Sequence, residues 1–89
     1  MREETFDVIN PTGLHMRPAA VLAKQAAGYD CEVSLVYKGK EMDAKSVLNI
    51  MAANIQAGSQ ITLICNGSDE DRAIGELGRQ IREGLGEKS

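Results

Sequence analysis

Apolar and polar positions alternate with a period of two in some stretches of this chain and with a helical period in others, and the two kinds interleave. Thr5-Phe6-Asp7-Val8-Ile9 alternates loosely and predicts a first strand with Phe6 and Val8 inward. Asn10-Pro11-Thr12-Gly13 is a turn cluster. From Met16 to Ala27 the pattern is helical, with Ala19, Leu22, Ala23 and Ala26 on one stripe and Gly28 as a stop. Cys31, Val33, Leu35 and Tyr37 then point one way along a half-buried strand. Lys38-Gly39 turns it back into a short strand, Lys40 to Asp43.

Ser46 precedes Val47-Leu48-Asn49-Ile50-Met51-Ala52-Ala53, a segment too short for an independent helix but adequate for a docked one. Ala57-Gly58-Ser59 breaks it, and Ile61, Leu63 and Cys65 define a last strand closed by Asn66-Gly67. Ser68 or Asp69 caps a final helix whose buried stripe is Ile74, Leu77, Gly78 and Ile81. Gly75, Gly78 and Gly84 weaken that helix, and Gly78 also lets it approach the sheet closely. The tail Gly86-Glu87-Lys88-Ser89 is expected to fray. The order is βαββαβα. Tight hairpins favour an antiparallel sheet, and helices with one apolar face each favour a single layer on one sheet face, which makes an α+β fold.

The chain's 89 residues suit one small domain, residues 1–89. With 10 Lys and Arg against 13 Asp and Glu, the formal charge is −3, which argues against nucleic acid as the main partner. No apolar run is long enough to insert in a membrane and no secretory signal pattern opens the sequence, so a cytoplasmic location is expected. Cys31 and Cys65 lack zinc or redox spacing and fall on inward positions, which predicts two buried thiols. One histidine without clustered cysteines or carboxylates supplies too few metal ligands, and no cofactor is expected. A serine hydrolase lacks both a second base and a nucleophile elbow.

The chemistry concentrates at Gly13-Leu14-His15-Met16-Arg17-Pro18-Ala19-Ala20. This run delivers the only histidine to the first turn of a helix, where backbone N–H groups lack partners and the dipole is positive. Phosphate suits that place. A reference imidazole has a pKa of about 6.5, so a neutral ring with a free lone pair is available near neutral pH. That ring can attack phosphorus, and Arg17 with nearby N–H groups can hold the product. A lone histidine, a lone arginine or a proline at a helix start is each ordinary, and their combination carries the reading.

A second constellation is Lys45-Ser46-Val47-Leu48. Ser46 is explained structurally as an N-cap. A phosphate there would add negative charge where the dipole welcomes it, and would change the sign of the surface beside Val47, Leu48 and Met51. So short a helix cannot bury Val47, Leu48, Ile50 and Met51 together, and the exposed part suits an interface.

Together these residues resemble the HPr family, the histidine-containing phosphocarriers of the bacterial phosphoenolpyruvate-dependent sugar phosphotransferase system. The resemblance covers nearly the whole chain. It implies an open-faced β-sandwich, with a four-stranded antiparallel sheet covered by three helices. It implies a phosphoryl carrier, not a turnover enzyme. His15 would accept phosphate on Nδ1 from phospho-enzyme I and pass it to an enzyme IIA domain of a sugar permease, with the Arg17 side chain and the backbone N–H of Met16 and Arg17 nearby. It also implies Ser46 as a regulatory site for an HPr kinase/phosphorylase and, in some bacteria, recruitment of a catabolite repressor. A monomer is expected. Met16 stands where relatives often carry alanine or threonine, and Asn49 where glycine is common. The retained His15 argues against the regulatory-only paralogue, while the nitrogen-related paralogue shares both histidine and fold. The alternative is therefore a regulatory interaction module switched by phosphorylation.

Overall fold

The computed structural model describes residues 1–87. Seven elements run in the order β1 (Arg2–Asp7), α1 (Met16–Ala26), β2 (Glu32–Tyr37), β3 (Lys40–Asp43), α2 (Val47–Ala52), β4 (Gln60–Asn66) and α3 (Glu70–Arg82). The strands form one antiparallel sheet ordered β1-β4-β2-β3. The fold is the expected open-faced βαββαβα sandwich. Phe6 stands opposite Ile61, and Leu35 opposite Leu63, so inward side chains align across the sheet.

One face of the sheet carries the core. Val33, Leu35, Ile61, Leu63 and Cys65 meet Leu22 of α1, Ile50 of α2 and Ile74, Leu77 and Ile81 of α3 in one cluster. Alternation explains the selection, since Ser34, Val36, Thr62 and Ile64 on the opposite face are only half-buried. The stripe of α1 is buried as its spacing predicts. Cys31 and Cys65 are buried free thiols. Burial pushes the Cys65 thiol up to about 12, with Cys31 beside it adding to the rise, which makes it a poor nucleophile.

Three expectations need correcting. The first strand starts at Arg2 and ends at Asp7 instead of spanning Thr5 to Ile9. Its early residues are exposed and join the sheet through backbone pairing with Cys65, Ile64 and Leu63, which leaves no apolar trace in the sequence. Asp69 occupies the N-cap of α3 but makes no capping hydrogen bond to that helix, touching it only through an ion pair with Arg72 at 3.6 Å. Its carboxylate accepts instead from the backbone N–H groups of Asp30 and Cys31, at 2.8 and 2.9 Å, and ties the α1–β2 loop to the start of α3.

The tail also departs from its expectation. Gly84 does not weaken α3 but ends it. Its φ of +88° is a left-handed conformation that glycine adopts without strain. The Gly84 N–H donates to the Ile81 carbonyl, and the Leu85 N–H to the Gln80 carbonyl, at 3.2 and 2.8 Å. This is a Schellman cap, with Leu85 buried as its apolar anchor. Gly86 and Glu87 are therefore ordered against the body of the protein. Lys88 and Ser89, also expected to fray, lie outside the described residues.

Candidate functional site

The loop before α1 is held down by its backbone. Leu14 donates its N–H to the Ile55 carbonyl at 3.0 Å. Gly13 has φ +70°, and a Cβ there would stand 2.1 Å from the same carbonyl oxygen, so only glycine fits. Leu14 is buried, and the next residue is lifted out. His15 is thus the N-cap of α1, in extended conformation (φ −73°, ψ −167°), with its ring 43 % exposed.

The helix start is open to an anion. The first helical hydrogen bond runs from the Ala19 N–H to the His15 carbonyl at 3.0 Å. Ahead of it stand the N–H groups of Met16 and Arg17, which an α-helix cannot pair internally, and Pro18, which has none. No acidic side chain occupies the first turn. The Arg17 side chain is exposed beside the same turn.

What meets the imidazole comes from the far end of the chain. His15 Nε2 lies 2.8 Å from Glu87 Oε2, across 72 residues of chain. The other oxygen, Oε1, accepts from Asn10 Nδ2 at 2.7 Å. The Asn10 amide, the hydrogen bond from His15 and the charges of His15 and Arg17 hold the Glu87 carboxyl below the usual carboxylate range, against an opposing effect of burial. Asn10 read as a turn residue and Glu87 as frayed tail. The only available signal was the Gly-Leu-Gly pattern at 84–86, an apolar residue between two turn formers that marks a capped, folded-back end.

A shallow depression beside the ring is lined by Thr12, Leu14, His15, Met16, Met51 and Asn54. Met16 is 65 % exposed, Leu48 79 % and Met51 40 %, while Ile50 is fully buried. The short helix α2 therefore anchors through Ile50 and turns Leu48 and Met51 outward. Val47 is half-buried against the core and sits at the edge of the patch. Met16, of which phosphate needs only the backbone, extends the apolar patch to the imidazole with its side chain, where it bears on partner fit. Ser46 caps α2, accepting from the Asn49 N–H at 3.2 Å through Oγ.

Residues 2–83 match the family described as the PTS HPr component phosphorylation site. The chain belongs to the HPr family. Among solved structures, it is similar to HPr-C-His from Thermoanaerobacter tengcongensis, with a TM-score of 0.94, 34 % identity and all of both chains covered. The phosphocarrier protein HPr from Bacillus anthracis str. Ames matches with a TM-score of 0.83 and 32 % identity, covering 88 % of this chain and 93 % of that one. Crh, the catabolite repression protein of Bacillus subtilis, matches with a TM-score of 0.75 and 33 % identity over 94 % of this chain and 97 % of that one. This HPr-like chain is thus a phosphocarrier or a regulatory protein of that family. Among the described residues no helix is long and apolar enough to cross a membrane, and no cluster of three His, Cys, Asp or Glu residues could hold a metal ion.

Proposed function

We propose that this HPr-family protein carries a phosphoryl group on His15, received from phospho-enzyme I and delivered to an enzyme IIA domain of a sugar permease. The observation that carries the reading is a half-exposed imidazole at the open N-terminus of α1, with Arg17 beside it. Phosphoryl transfer asks a protein mainly for positioning and charge stabilisation. The Nδ1 lone pair attacks phosphorus, and the Met16 and Arg17 N–H groups and the Arg17 guanidinium then hold the transferred phosphate. The apolar patch of Met16, Leu48 and Met51, flanked by Val47, docks both partners, so donor and acceptor use the same approach in turn.

Incubation with enzyme I and phosphoenolpyruvate should place an acid-labile, base-stable phosphate on His15. Absence of label, or label surviving His15→Ala, would reject the proposal.

Regulation through Ser46 is a second reading, favoured by the likeness to Crh and by the position of Ser46 at the edge of the patch. A phosphate on Ser46 keeps the helix cap and puts negative charge beside Leu48. An HPr kinase/phosphorylase would write that mark, and a catabolite repressor would read it. A cognate kinase that leaves Ser46 unmodified would remove this reading. The carrier is proposed to act as a monomer, since β1 is satisfied by β4 of its own chain. The Crh structure carries a swapped domain in a dimer, so sedimentation of this protein, expected at the monomer mass, is the direct check.

A further inference from the structure

Glu87 is fixed from several sides before it meets His15. Its backbone N–H donates to the Gly84 carbonyl at 3.0 Å. Its Oε1 takes one hydrogen of the Asn10 amide, whose second hydrogen goes to the Gly84 carbonyl at 2.9 Å. Among the described residues Asn10 is the one buried polar side chain, 2 % exposed, and both acceptors demand that its NH2 group face them. The remaining oxygen, Oε2, is thereby aimed at His15 Nε2 at 2.8 Å. An ionised carboxylate only accepts, so Nε2 carries the ring proton, and in the neutral ring the lone pair is left on Nδ1.

We propose that Glu87, held by Asn10, is a positioning residue for His15. It selects the Nε2–H tautomer and the ring orientation, and it balances the charge the ring gains when the N–P bond forms. The inference rests on the carrier reading above and extends it to a residue remote in sequence. In the step itself, the Nδ1 lone pair makes the new bond to phosphorus. The bond from phosphorus to the donor breaks, and its electron pair stays on the donor. Nε2 keeps its proton, so the ring becomes formally cationic and faces the Glu87 carboxylate. Delivery to the acceptor runs the same exchange in reverse, returning the bonding pair to Nδ1.

Nitrogen-15 spectra of the His15 ring, recorded on the full chain above neutral pH, test the assignment alongside initial rates of phosphate uptake from enzyme I. The wild-type ring should be in the Nε2–H form. Glu87→Ala should give a tautomer mixture and slow uptake by about threefold to tenfold, the worth of one partly exposed hydrogen bond. Glu87→Gln makes the sharper prediction. Its carbonyl must face the Asn10 amide, which leaves its own NH2 toward His15, so the opposite tautomer should be favoured and uptake should fall further than in Glu87→Ala. A general loss of structure would not reverse the tautomer, and amide spectra away from the site check that the variants are folded. Wild-type tautomer and rate in both variants would overturn the proposal. Failure of the carrier reading looks different: the wild-type protein takes up no phosphate, whatever its tautomer.

Discussion

A Cβ on Gly78 would stand 2.8 Å from Cζ of the buried Phe6 ring, so α3 rests on β1 at a separation that only glycine permits. The Arg82 guanidinium lies 4.9 Å from the centroid of the same ring and leaves it little room to turn. Gly78→Ala gains up to about 1 kcal/mol of helix propensity but overpacks the contact at a cost of about 1–3 kcal/mol. The expected outcome is a net loss of about 1 kcal/mol in urea unfolding. A stabilised variant would show that the helix can lift without cost.

Asp69 makes stability depend on pH in a defined direction. The Asp30 N–H foremost, and then the Cys31 N–H, hold its carboxyl below the usual range, with burial opposing them. The folded-state value lies below the unfolded reference of about 3.9. The stabilisation is therefore complete well above about pH 4 and drains away as pH falls through that value toward the lower folded one. Asp69→Asn should flatten the dependence of the urea midpoint between about pH 6 and about pH 2.5 relative to wild type. An unchanged slope would remove Asp69 from the acid response.

Ser46 separates two roles by substitution. Ser46→Ala removes the acceptor of the Asn49 N–H and should cost about 1 kcal/mol in thermal or urea unfolding. Ser46→Asp restores a cap and should come within about 0.5 kcal/mol of wild type, while adding a negative charge beside Leu48. If the patch docks enzyme I, Ser46→Asp should bind it more weakly at near-normal stability. Equal binding by the two variants would separate this serine from the interface.

Leu48 is 79 % exposed, so Leu48→Glu should change stability by no more than about 0.5 kcal/mol. An apolar contact buried at the centre of an interface is worth about 2 kcal/mol when lost, or about thirtyfold in affinity. Titration of enzyme I by calorimetry with wild type and Leu48→Glu measures the difference. Equal affinity would exclude this face as the docking surface.

The chemistry of the loop and the layout of the elements were legible because they are local. Apolar spacing marked α1 and α3, parity marked β2 and β4, and Ser46 stood where a short helix needs a cap. The beginning of β1 was hidden because backbone pairing at a sheet edge needs no particular side chain. Asp69 misled for a related reason: the type of residue that caps a helix equally caps a loop, and only the tertiary fold decides which N–H groups it reaches. Within the candidate site, His15, Met16 and Arg17 are neighbours in the chain and were seen together. Asn10 and Glu87 joined them only through the Schellman turn at Gly84 and Leu85, a long-range event that local periodicity does not encode.

The sheet order has a consequence for how the protein is made. β1 pairs only with β4, so its edge waits for residues 60–66 to be synthesised. At about 5–20 residues per second, the interval is several seconds. During that time the ribosome exposes a chain that already contains His15 but has no closed sheet and no carboxylate beside the ring. Translation thus builds the imidazole long before its surroundings, and partner recognition must await the late segments of the polypeptide.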